Sequence, residues 1–417
     1  MIMAMKESGI EWVGFIPNDW KIAKNNRLFN ISKQLVNENW KNTHLLSLTK
    51  GGIIEKNIND GGGKQPESFG IYQYVEKDDI VLCLFDIDVS AVFSDRSKYD
   101  GMISPAYRVM KCTDAILPVY AKWWFDAVNT GRYYLIYTKS LRKTIDADGF
   151  GNILTVVPPL SEQQAIADYL DKTCSQIDEI IAEAKASIDE YKELKQSVIF
   201  EAVTKGLDKN VDMKQCSVNW LDEIPSTWES IRLKYLLTEI NNRSETGTEQ
   251  PLSVSQVMGV VPSYMISVVN PTSSYVGQKV VEPNDIVFNK LKAHLGVFFM
   301  SKYHGLVSPD YAVYRTNDKV IPKYLEYLFH TSACISEFKR YITGVAEGLM
   351  RLYTSDLFNI RICLPNVDEQ IKIVEYVDNN VDLFDSLITE KESLIADLEA
   401  YKKSLIYEVV TGKRRVV

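Results

Sequence analysis

The chain is written twice. Met5-Lys6-Glu7-Ser8-Gly9-Ile10-Glu11-Trp12 returns as Met213-Lys214-Gln215-Cys216-Ser217-Val218-Asn219-Trp220, and each copy continues into Ile-Pro-x-x-Trp, at Ile16 to Trp20 and Ile224 to Trp228. Asp79-Ile80-Val81 matches Asp285-Ile286-Val287, Gly101 to Tyr107 matches Gly305 to Tyr311, and Pro118-Val119-Tyr120 matches Pro322-Lys323-Tyr324. Pro158 to Gln163 matches Pro365 to Gln370, and Lys195 to Thr204 matches Lys402 to Thr411. The offset stays between 204 (Ser104 to Ser308) and 208 (Met5 to Met213). Matches in one order at a nearly constant offset mean duplication. A tandem duplicate can fold with pseudo-two-fold symmetry, which suits a long target in two parts.

At 417 residues, the chain predicts two to three domains. No early apolar segment has the form of a signal peptide, and no apolar run is long enough to span a bilayer, so no membrane partner is expected. Six cysteines without a CxxC pair predict a reducing, cytoplasmic setting rather than a disulfide framework. His44, His294, His304 and His330 form no metal-ligand spacing, so no zinc site is expected. The net charge of −8 argues mildly against nucleic acid, but a sum over faces can hide a basic groove.

Each copy opens with a mixed segment of roughly 155 residues. Ile80 to Phe85 and Ile286 to Phe288 read as strands, Gly51-Gly52 and Gly61-Gly62-Gly63 as loops, and Lys122 to Val128 and Tyr324 to Phe329 as helices after a proline start. A helical part follows, with Ser161 and Asp368 as candidate N-caps. In the first copy a short helix through Ile166 and Leu170 precedes a 4-3 apolar pattern: Ile177, Ile181, Ala184, Ile188, Tyr191, Val198 and Ala202, interrupted by Lys195. Phe384, Ile388, Ile395, Leu398, Leu405 and Val409 repeat it, interrupted by Lys391 and Lys402. Such seams predict a coiled coil. About thirty residues make a rod of roughly 45 Å, about 13 base pairs of duplex. Packed antiparallel, the helices would carry one mixed domain near each end and act as a ruler. The expected fold is α+β: two tandem α/β domains, each followed by a long helix, the helices pairing as an antiparallel coiled coil with pseudo-two-fold symmetry. The expected boundaries are 1–158, 159–206, 207–364 and 365–417.

These residues resemble the DNA-specificity subunit of type I restriction–modification systems. The likeness is carried by SGIEWVGFIPNDW at 8–20 and its echo at 220–228, PPLSEQ at 158–163, DEQ at 368–370, NDIVFNKLKAHLG at 284–296, the Ser104 and Ser308 SPAY/SPDY pair, and the Thr204-Lys-Gly and Thr411-Gly-Lys helix ends. It covers essentially the whole chain. It implies two target-recognition domains, each reading one half of an asymmetric split site in double-stranded DNA. It also implies conserved helices that set the spacer and dock two methyltransferase subunits, and a restriction/motor subunit that joins them.

The residues themselves favour binding over catalysis. SPAY and SPDY lack the second proline of an adenine-methyltransferase loop, no glycine-rich loop fits a methyl-donor cofactor, and no phosphate loop is present; no cofactor is expected. Asp310 with Glu337 and Lys339 fits only a loose nuclease pattern. Lys290, Lys292 and His294 lie just after a strand, with Lys302 following, and strand-end lysines suit phosphate contacts. Lys339, Arg340 and Arg351 in the second copy and Lys64, Arg96, Lys98, Lys139, Arg142 and Lys143 in the first are further basic candidates, the sets near 139–143 and 339–351 both preceding a long helix at similar distance. Where the second copy carries Lys290 and Lys292, the first carries Asp86 and Asp88. The alternatives are the specificity subunit of a related split system, a self-contained methyltransferase, or a coiled-coil adaptor.

Overall fold

The computed structural model describes residues 4–57, 68–89, 93–139, 141–218, 220–266, 274–344 and 351–416. The fold is α+β and divides into two compact units: Met1–Lys185 with Glu392–Val417, and Ala186–Lys391. Each of two long helices therefore gives one half to each unit.

The first long helix, Leu160–Lys205, runs unbroken for 46 residues. The expected break after Leu170 is absent, because Cys174 is buried and carries the 4-3 apolar line from Leu170 to Ile177. Ser161 lies inside the helix rather than capping it. The Pro159 carbonyl instead accepts from the Glu162 and Gln163 amides. The second long helix, Val367–Val410, has 44 residues. Asp368 lies within its first turn, and Asn366 is the cap, its Oδ1 accepting from the Glu369 amide at 2.9 Å.

In the first unit, strands Met5–Glu7 and Phe15–Pro17 form an opening hairpin. Lys21–Lys24 then pairs antiparallel with Leu154–Val157, so the mixed segment begins and ends side by side, directly before the helix. Between them lie two four-stranded sheets and the helix Pro118–Thr130, which buries Tyr120 and Trp124. The expected strand Ile80 to Phe85 stops at Leu82. The end of the second long helix returns to this core: Leu405 and Val409 pack with Trp20, Ile166, Leu170, Ile177 and Ile181. The helix halves run antiparallel, since Arg415 reaches Glu162 and Lys402 reaches Asp178 at 2.6 Å.

The second unit repeats this plan. Met213–Gln215 pairs with Glu223–Pro225, and Glu229–Arg232 pairs with Arg361–Leu364 just before the second long helix. Its central sheet runs Leu237–Ile240, Tyr311–Thr316, Ile286–Asn289, Phe298–Met300. Ala202 and Val203, from the end of the first long helix, pack with Trp228, Ile373 and Val377. Lys195 reaches Asp385 at 2.6 Å. Ile188 is buried, Tyr191 meets Phe384 at 6.4 Å, and Val198 and Ile388 are half-buried. In the first unit Ile395 and Leu398 are half-buried against the core. The interruptions at Lys195 and Lys402 thus carry cross-helix ion pairs.

One side chain joins the mixed segment to the helix in each unit. Fully buried Gln163 donates to the Ala115 and Pro158 carbonyls at 3.1 and 2.8 Å and accepts from the Leu117 amide at 2.7 Å. Gln370 makes the same three bonds, to Lys319 and Pro365 and from Ile321, at 3.0, 2.9 and 2.8 Å. Trp20 and Trp228 each donate to the preceding helix glutamate, Glu162 or Glu369, at 3.0 Å. Each arriving helix ends on a left-handed glycine, Gly206 at φ +76 and Gly412 at φ +75. A Cβ on Gly412 would stand 2.4 Å from the Pro17 ring. Gln370→Leu keeps the volume but strands one buried amide and two carbonyls. It is expected to cost about 2–4 kcal/mol in urea unfolding of the second unit, with Gln163→Leu doing the same in the first.

Candidate nucleic-acid interface

The strand Ile286–Asn289 of the second unit runs straight into a short 3-10 turn, Lys290–Leu295. Asn289 starts the turn by accepting from the Leu291 and Lys292 amides at 3.0 and 3.3 Å, and left-handed Gly296 ends it. Three of the sequence candidates, Lys290, Lys292 and His294, sit on this turn. Arg351 joins them: the Leu352 amide donates to the Lys290 carbonyl at 3.1 Å, and Arg351 pairs with Thr343 through both backbone bonds. The helix Ser332–Tyr341, bearing exposed Lys339 and Arg340, packs Ile335 against Gly296.

The members differ in freedom. Lys292, Lys339 and Arg351 are exposed, whereas Arg340 is paired with Glu337 at 3.2 Å. Lys290 lies 3.6 Å from Glu239, which also stands 3.8 Å from buried Lys279. Burial, and next the charge of Lys290, push the Lys279 ammonium below its ordinary pKa, and Glu239 opposes both. His294 is half-buried with its Nδ1 unbonded. Nearby His330 is pushed below the ordinary imidazole value by burial and lies tilted against the Phe299 ring, 4.9 Å between centroids.

The first unit assembles the matching place from the acidic loop. The Ile145 amide donates to the Leu84 carbonyl at 2.9 Å, Asp86 to Arg142 at 2.9 Å, and Ile87 to Lys143 at 3.3 Å. Exposed Arg142 and Lys143 thereby run alongside Asp86 and Ile87, so bases from elsewhere in the chain join the acidic loop. Lys139 is exposed, 3.8 Å from Asp146.

Other candidates lie at the opposite strand end. Arg96 pairs in register with Ile80 and lies 3.4 Å from Asp78, with exposed Lys98 beyond it. Their counterpart Lys302 follows Met300, which pairs with Ile286. A strand of three or four residues spans roughly 10–13 Å, so these three do not join the Lys290 or Arg142 clusters. Lys64 lies outside the described residues. Three residues not singled out in the sequence, Lys41, His44 and Lys56, rim a cavity of about 630 Å³ at the Leu45–Thr49 and Gly52–Lys56 hairpin. Their only signal was their flanking position on that hairpin. Glu337 is buried and held by Arg340 rather than open to a metal. Among the described residues no three His, Cys, Asp or Glu side chains converge as metal ligands, and no helix is long and apolar enough to cross a membrane.

Residues 225–396 match the family described as Type I restriction modification DNA specificity domain. The chain is 24% identical over 313 residues to the type I restriction enzyme MjaVIII specificity subunit of Methanocaldococcus jannaschii, a match spanning 68% of this chain and 70% of the relative. The resemblance read from the sequence is thus met by a family model over part of the chain and by a specificity subunit over most of it. It is also 22% identical over 273 residues to the EcoKI specificity subunit of Escherichia coli K12, over 62% of this chain and 57% of that one. Two solved structures share the fold. One chain comes from a study of complex assembly and conformational transition of the type I R-M system, with TM-score 0.71 and 15% identity, over 96% of this chain and 99% of that one. The other is the HsdS subunit from Thermoanaerobacter tengcongensis, with TM-score 0.56 and 16% identity, over 96% and 98%.

Glu239→Gln is expected to leave Lys279 and Lys290 facing each other without a counter-charge. Because folding depresses the Lys279 pKa, that cost is full at neutral pH and fades as pH rises through the folded value. Urea unfolding should show a deficit of about 1–2 kcal/mol at neutral pH, shrinking under strongly alkaline conditions.

Proposed function

We propose that this chain is the non-catalytic, DNA-reading subunit of a type I restriction–modification enzyme. Each mixed segment, within 1–158 and 207–364, reads one half of an asymmetric bipartite site, and the long helices set the spacer. The observation that carries this reading is the repeated joint: the same glutamine and tryptophan contacts hold two segments whose surface loops differ, Lys290-Leu291-Lys292 in one and Asp86-Ile87-Asp88 in the other. A fixed mount with divergent loops suits two readers of different sequence. The Lys290–Leu295 turn with Arg351, and the Arg142–Lys143 loop, are the proposed backbone contacts.

The partners follow from the helices. The seam is covered within each unit, yet Ile180, Leu394 and Tyr401 stay exposed in the first and Leu194, Tyr376 and Leu383 in the second. Apolar side chains beside a filled seam suit further helices, and we assign the exposed set of each unit to one of two methyltransferase subunits, with the restriction/motor subunits joining through them.

In the assembled complex, Lys292→Ala or Arg351→Ala should weaken DNA binding several-fold for all sequences alike and lower the salt slope by about 1. Lys302→Ala, at the other strand end, should do less. Exchanging residues 5–158 for another family member's segment should change one half-site in binding selections; a change in both would remove the independent-reader model.

A further inference from the structure

Cys216 and Cys363 are 147 residues apart in sequence, yet their sulfurs lie 2.8 Å apart in the second unit. Both thiols are free. A bonded pair sits about 2.05 Å apart, so closure needs a shift of less than about 1 Å. The backbone holds both partners. Cys216 follows the strand Met213–Gln215, its amide donates to the Asp222 carbonyl at 2.9 Å, and its sulfur takes the Val218 amide at 3.4 Å. Cys363 is locked in the strand Arg361–Leu364 opposite Ser230.

The duplicated fold provides an internal comparison. The first unit has Ser8 and Val156 at these places. Ser8 takes the Ile10 amide at 3.1 Å, as the Cys216 sulfur takes Val218, and Val156 is fully buried in its strand. The joint therefore closes without sulfur, and the thiol pair is an addition confined to one unit.

We propose that Cys216 and Cys363 form a reversible redox modification site, converted to a disulfide by low-molecular-weight disulfides. Cys216 is half-buried and reached first, whereas Cys363 is buried, and that burial together with the adjacent Cys216 sulfur raises its thiol pKa. The Cys216 thiolate attacks one sulfur of the reagent; the reagent's S–S bond breaks and one small thiolate leaves and takes up a proton. Cys363, on losing its proton, attacks the Cys216 sulfur of the mixed disulfide and expels the second small thiolate. Two protein thiols are oxidised by two electrons and one reagent disulfide is reduced to two thiols. The bond ties the start of the second mixed segment to the strand that feeds the second long helix. A thiol reductant reverses it, as suits a reducing compartment where protein disulfides are transient.

The test treats the full chain with oxidised glutathione and reads intact mass and non-reducing peptide maps. The expected product has lost two hydrogens, links the peptides containing Cys216 and Cys363, melts at higher temperature, and reverts with dithiothreitol. Cys363→Ala should stop at a lasting glutathione adduct on Cys216. Cys216→Ser, which takes the residue of the first unit, should show neither link nor melting shift. A lasting adduct on Cys216 in the unsubstituted chain overturns the proposal. So does a link through Cys112, Cys174 or Cys334 instead, or no reaction at Cys216 under conditions that oxidise a free dithiol.

Discussion

A buried glutamine amide fixes the point at which each mixed segment becomes a helix. Gln163 and Gln370 each satisfy two carbonyls and one amide drawn from two separated backbone stretches. Those stretches are the turn before the proline-initiated helix and the Pro158 or Pro365 exit, so a single amide sets the direction in which the long helix departs. An apolar residue there would leave three backbone groups dry and unpaired, which is why this polar side chain stands in the core. Trp20 and Trp228 then seat the arriving helix end against the same joint, through Glu162 and Glu369.

This joint explains why neither unit is a continuous stretch of chain. A long amphipathic helix leaves an apolar stripe that must be covered. Within each unit the cover is the other long helix, running antiparallel and finished by a Thr-Lys-Gly or Thr-Gly-Lys end. Leu405 and Val409 close the first core and Ala202 and Val203 the second. The buried tyrosines Tyr120 and Tyr324 register the arrival, donating to the Val410 and Val203 carbonyls. The mixed segments are thus free to vary between their paired first and last strands, Lys21–Lys24 with Leu154–Val157 and Glu229–Arg232 with Arg361–Leu364.

Much of this was legible in the sequence because duplication and periodicity are local signals. The doubled Trp motifs, the proline-started helices and the seam from Ile177 to Val409 all have counterparts in the fold. The lysines that broke the seam were legible as exceptions, but their partners Asp178 and Asp385 lie on the other helix and no spacing rule finds them. Helix continuity was missed because Cys174 does not count as apolar by eye, although it behaves as a small buried hydrophobe. The cap at Asn366 was hidden by the equally good cap residue two positions later. Site geometry was the least legible. Glu239 pairs with Lys290 from a distant strand, and Arg142 comes back to Asp86 through backbone bonds. Arg96, Lys98 and Lys302 are basic candidates in the sequence alone, and only strand register separates them from those clusters, at the far strand end.

The central claim is that two equivalent mounts present two different readers. It is tested most directly by sequencing DNA methylation genome-wide in a host carrying this chain with its partner subunits. The account predicts one asymmetric motif made of two unlike half-sites around an unread spacer of fixed length. A single uninterrupted motif, or a palindrome with identical halves, would contradict it.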